Sequence, residues 1–133
     1  MSSFDPVSVI VSALLADDKV AIWTSGRVFG GSIPEGSVPP LIVVMLSTSR
    51  PTTSPPTQWR DYMVTVDVQA EDSGVSFQIA SAAMLVLNKI AGTVTEGVVS
   101  STEVTGMTSN EDGAFTPTRF RNALTVDMTA RDN

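Results

Sequence analysis

Apolar and polar residues follow two different periods along this chain, and the changes of period mark its elements. Near the start, Val7, Ile10, Val11 and Leu14 recur at helical spacing, with Ser8 and Ser12 on the other side. Asp5-Pro6 opens that helix, pairing an N-cap acceptor with a proline at the first helical position, where a missing N–H does no harm. Asp17-Asp18 ends or interrupts it, Lys19 to Trp23 reads as a further short turn, and Gly26 stops that turn. Arg27-Val28-Phe29 then forms a short extended segment bounded by Gly30-Gly31.

The period changes after Pro39-Pro40. Leu41 to Leu46 is an unbroken apolar run, suited to a strand held centrally or buried on both faces. Ser47–Gln58 is rich in Ser, Thr and Pro, contains Arg50, and is too polar to pack as a core element, so a loop is predicted with Trp59 at its exit. Its length exceeds that of an ordinary hairpin connection, which leaves two readings, a decoration or a segment docked on a partner. Beyond it, Tyr62, Val64, Val66, Val68 and Ala70 alternate with Met63, Thr65, Asp67 and Gln69, the clearest half-buried strand of the chain.

A second helix is predicted from Asp72 or Ser73 to about Ala91, with Lys89 in its last turn and Gly92 as terminator. Turned by about 100° per residue, its apolar positions, which include Phe77 and Met84, sweep roughly 220°, and Leu85 sits inside the polar stripe. One sheet covers less than that. The excess calls for a second cover, either the first helix or a neighbouring subunit. Two strands follow: Val98 to Met107, and a last one alternating Phe120, Leu124, Val126, Met128 and Ala130 against Arg119, Arg121, Thr125, Asp127 and Thr129. The expected fold is α+β, a single antiparallel sheet of about four strands with two main helices on one face. The order is helix, strand, strand, helix, strand, strand, in a single domain spanning 1–133.

Composition narrows the function. The chain has 133 residues, long enough to bury an ordinary core. It has no histidine and no cysteine, which removes Ser-His-Asp triads, thiolate zinc sites, disulfides and cysteine nucleophiles. Two lysines and six scattered arginines under a net charge of −6 do not form the basic patch that DNA phosphates need. No stretch reaches the roughly 20 apolar residues of a membrane span, and MSSFDPVSVI lacks the features of a secretory signal, so a soluble, non-exported protein is expected.

Few residues invite a chemical reading. Asp17-Asp18-Lys19 suits a solvated helix end better than a metal cluster, and Asn110-Glu111-Asp112-Gly113 lacks the ligand spacing of a calcium loop. Gly30-Gly31 has no strand–GxGxxG–helix context. No enzymatic activity, cofactor or metal is expected. Asp67 and Asp127 are predicted on the outward faces of the two best strands, either as a solvated sheet face or as an acidic lining that repels passing DNA. Arg119 and Arg121 share a face of the last strand, where pairing with carboxylates across the sheet is favoured over DNA contact.

Taken in order, several segments look like siphophage tail terminator and tail-completion proteins, the phage lambda terminator-like family. They are Leu14-Leu15-Ala16-Asp17-Asp18, then Gly26-Arg27-Val28-Phe29, Ile33-Pro34 and Pro39-Pro40-Leu41-Ile42-Val43-Val44. The variable Ser/Thr loop, the Val-rich strand and Arg121-Asn122-Ala123-Leu124-Thr125-Val126 continue it, so the resemblance covers nearly the whole chain. No single residue is diagnostic; the match is one of order and spacing. The resemblance implies a homo-oligomer, a hexameric ring that caps the head-proximal end of a tail tube in the virion after assembly in the host cytoplasm. Its partners would be the tail tube protein and the head connector or stopper, with DNA passing through the lumen without specific binding. Arg50, Trp59, Phe77, Met84 and Leu85 are the candidate subunit or tube contacts, and Asp67 and Asp127 the candidate acidic lining. Other readings stay open: a head-completion or stopper component, a small-ligand-binding or enzymatic domain, and a cellular interaction module.

Overall fold

A computed structural model describes residues 4–51 and 59–132. Two helices come first, α1 (Pro6–Ala16) and α2 (Asp18–Thr24), then strands β1 (Val28–Gly30), β2 (Leu41–Pro51) and β3 (Arg60–Ala70). Helix α3 (Ser73–Leu87) follows, and β4 (Gly92–Val94), β5 (Gly97–Asp112) and β6 (Arg119–Asp132) close the chain. Aspartates start all three helices. Asp5, Asp17 and Asp72 accept from the backbone N–H of Ser8, Val20 and Val75, each satisfying a donor that the first turn leaves unbonded. Asp17 also closes α1, because its extended backbone breaks the ladder while its N–H reaches the Leu14 carbonyl. Ser25 in the left-handed region and Gly26 at φ +75° then end α2.

All six strands belong to one sheet in the order β1-β2-β3-β6-β5-β4. This corrects the expected architecture: the sheet is mixed, with six strands where about four were expected, and three helices accompany it where two were. Strand β1 runs parallel to β2, pairing Val28 with Ile42 and Gly30 with Val44. Of the two added strands, β1 lies on the short extended segment expected at Arg27–Phe29 and β4 was not expected; both are three residues long and too short to carry a period. The turn expected at Lys19–Trp23 is a helix of its own. Several boundaries also move. Ser47 to Pro51 continue β2 instead of forming a loop, the rest of that predicted loop lies outside the described residues, and β5 runs on through Asn110-Glu111-Asp112. Polar Ser and Thr residues hide these extensions, because the ladder holds them through backbone bonds while their side chains face water. Helix α3 stops at Leu87, well before Gly92, with the Asn88 N–H on the Met84 carbonyl.

The core lies between one face of the sheet and the helices. Ile42 and Val44 of β2, Tyr62, Val64, Val66 and Val68 of β3, and Leu124, Val126, Met128 and Ala130 of β6 meet Val9, Ile10 and Leu14 of α1 and Ile79, Ala80, Ala83 and Leu87 of α3. Each fully buried Leu or Ile contributes about 1.5–3 kcal/mol, so this layer holds the fold together. Two polar residues lock α3 in place within it. Ser76 Oγ donates to the Val68 carbonyl (3.3 Å), and Asn122 Nδ2 donates to Ser76 Oγ (2.7 Å). At the β4–β5 turn only glycine fits position 97, since a Cβ there would run into the Arg131 carbonyl. Among the described residues, no helix packs on the opposite face of the sheet.

Candidate interaction surfaces

On that helix-free face the two ends of the strands differ. At the end where β2 begins and β5 turns into β6, Asp67 is only 1% exposed. Its Oδ2 accepts from Arg121 Nε (3.1 Å) and Nη2, and from Gln69 Nε2 (2.9 Å). Arg121 also lies 3.6 Å from Asp112, and its hydrogen bond to Asp67 raises the guanidinium above its ordinary range against the opposing effect of burial. Arg119 donates to Gln69 Oε1 (3.0 Å) and the Ser37 carbonyl (3.2 Å), and stacks on Phe115 at 3.9 Å. The segments before β2 and after β5 are thereby drawn over this end. Asp67 does not stand on a solvated face as its alternation predicted; Arg121 balances its charge, and the Arg pairing expected across the sheet is present for Arg121.

Among the described residues, the other end is bare. Strand register sets Asp127 directly opposite both Met63 and Glu103. Asp61 accepts from Thr129 Oγ1 (2.7 Å) and lies 4.0 Å from Arg50, whose side chain is 80% exposed. Together these residues line a depression of about 350 Å³ with Thr48 and Ser101. Three carboxylates thus gather around one arginine. Glu103 faces Asp127 as a like-charged cross-strand pair, an arrangement that weakens a sheet. Trp59 sits at the hairpin's edge, half-buried, with the Arg131 guanidinium 5.5 Å from its ring centre. Beneath, Tyr62 packs on Phe4 (5.5 Å between rings), and burial raises its hydroxyl pKa above the ordinary 10.0.

The helix layer carries the apolar surface. Phe77 and Leu85 on α3 are 54% and 65% exposed, while Met84 is half-buried against the core. A depression of about 760 Å³ runs between α3 and the α1–α2 corner, where Trp23, Ala82, Leu85 and Val86 meet Asp17, Asp18 and Lys89. Helices α1 and α2 do supply part of the second cover that the wide apolar arc calls for, but Leu85 and Phe77 stay outside it.

The seven residues singled out in the sequence therefore occupy three places. Phe77, Met84 and Leu85 share α3; Arg50 and Asp127 share the bare end of the sheet, with Trp59 beside it; and Asp67 lies in the covered end. Sequence reasoning missed Ile22, at 73% the most exposed large apolar side chain among the described residues, because its segment read as a turn. It also missed Asp61 and Glu103, whose meeting with Asp127 depends on strand register that no single segment reveals. Among the described residues, no group of His, Cys, Asp and Glu is placed to hold a metal ion. Among the same residues, no helix is long and apolar enough to cross a membrane.

No family model matches the chain, and no curated protein matches it either. Solved structures do. A chain described as part of the virion of a native gene transfer agent particle superposes with a TM-score of 0.68, covering 95% of this chain and 94% of that one at 12% identity. At that identity the likeness establishes a shared fold over essentially the full length of both chains.

Proposed function

We infer that this chain is a structural component of a phage-like virion, and within it a tail terminator. In this reading it forms a ring that caps the head-proximal end of the tail tube, stops its growth and receives the head connector. The observation that carries the virion reading is the end-to-end fold likeness to a chain of a gene transfer agent virion. The order of sequence segments shared with tail terminators refines it. Exposed Phe77, Leu85 and Ile22 supply apolar surface of the kind that protein contacts bury. Asp61, Glu103 and Asp127 supply an acidic face that would repel DNA phosphates moving past it, with Arg50 at its border. Such a surface suits a lumen through which DNA must slide.

The test is electron microscopy of the protein mixed with the tube subunit of the same particle. Rings at one end of tubes, and tubes that stop growing, are expected. Binding to the connector with unrestrained tube growth would instead indicate a head-completion or stopper role. Leu85→Asp should reduce ring formation on tube ends at least several-fold while circular dichroism stays unchanged, since that side chain already faces water in the single copy. Normal tube capping by this variant would remove α3 from the interface.

A further inference from the structure

Among the described residues the sheet has two open edges, and they match. On β2 the last bond to β1 is the Gly31 N–H on the Val44 carbonyl, and from Met45 to Pro51 no described strand lies on its outer side. On β5 the short β4 covers only Gly97 to Val99, leaving the outer side beyond it with one described cover, the Asn88 side chain on the Val104 N–H (2.9 Å). Free strand edges are templates for pairing, and proteins usually blunt them with charges, prolines or brevity. Neither edge carries a charge or a proline in its middle, over Met45-Leu46-Ser47-Thr48-Ser49 and Val104-Thr105-Gly106-Met107-Thr108-Ser109, although each holds one irregularity, at Ser47 and at Thr105.

The geometry points to pairing of these two edges between copies of this chain, β5 of one against β2 of the next, as the joint that builds the ring. This rests on the ring reading given above and names the surface it would use. Three antiparallel pairings separate β2 from β5, so the two strands run in opposite directions within a copy. Copies set side by side in one orientation therefore bring them together antiparallel, in a head-to-tail contact that closes into a ring when the rotation divides the circle. One register satisfies both faces of the sheet. Leu46 and Met107, which stand beside core-facing Val64 and Leu124, meet on the helix side; Arg50 and Glu103, beside Asp61 and Asp127, meet on the other. In that register the under-neutralised acidic end of one copy receives the 80% exposed arginine of its neighbour.

Because the chain has no cysteine, Leu46→Cys and Met107→Cys would each carry its only thiol, and directly opposed residues of an antiparallel pair lie within disulfide reach. The two variants are mixed and mildly oxidised. A mixed disulfide several-fold above either like pair is expected, weakened by Arg50→Glu on the first variant and restored by adding Glu103→Arg to the second. Disulfides in the proportions of random collision overturn the edge pairing. Native mass spectrometry of the unmodified protein, alone and on tubes, separates the two ideas: rings without the mixed disulfide remove the edge joint and leave the ring, and the mixed disulfide without rings does the reverse.

Discussion

Asp67 and Asp127 occupy equivalent places on the two central strands and point to the same side of the sheet, yet they have opposite fates. Asp67 is buried, bonded to Arg121 and Gln69, under segments that Arg119 ties down. Asp127 is exposed, opposite another carboxylate. Alternation decides which face a side chain takes; the loops arriving at that face decide how deep it lies. One end of this face is built for stability and the other gives some away, and a protein retains unpaired like charges more readily where they serve a contact or an exclusion.

The sharpest way to break this contrast is to remove Asp67. In Asp67→Ala the Arg121 guanidinium and the Gln69 amide lose their shared acceptor, and a loss of about 2–4 kcal/mol is expected, toward the lower end because Arg121 is one-third exposed and can turn to water. Urea unfolding with an unchanged slope would read it. A cost below about 0.5 kcal/mol, the size of an ordinary surface change, would mean that the covered end stabilises nothing.

Arg119→Ala is the intermediate case. It severs the bond to the Ser37 carbonyl and the stacking on Phe115 while leaving the Asp67–Arg121 pair intact. About 1 kcal/mol is expected. Amide exchange should quicken in the segment 31–40 and leave β3 and β6 protected. Uniform protection throughout would show that this segment is held by other contacts.

How much of this was legible in the sequence follows the same division. Strands β3 and β6 were readable because each buries one face along its whole length, and the Asp5 and Asp72 caps were readable because helix starts are local. Strand β1 showed only as the short extended segment at Arg27–Phe29, with nothing to place it in the sheet, and β4 did not show at all: three residues held by neighbours carry no period of their own. The mixed topology was hidden with them. Among the site residues, the exposure of Phe77 and Leu85 was implied by an apolar arc too wide for one sheet. The burial of Asp67 was not, since it depends on Arg121 fifty-four positions away and on a loop that Arg119 reaches at Ser37. The acidic end was half visible. Asp127 announces itself by alternation, while Asp61 and Glu103 join it only through register, with Ser100 and Thr105 skipped at irregularities of β5.

The smallest expected effect is the most telling about function. Asp127→Asn should change stability by no more than about 0.5 kcal/mol, and in the stabilising direction at low salt, because it relieves the Glu103–Asp127 opposition. Added salt should narrow the gap between wild type and variant by screening that repulsion. If the acidic end lines a path for DNA, the same substitution combined with Asp61→Asn should leave rings and tubes unaltered but make DNA adhere to the assembled protein in a salt-dependent way. Stabilisation without any change in DNA retention would detach the acidic face from DNA passage; a clear loss of stability would mean that Asp127 has a structural partner and that the two ends of the face are not the opposites they look.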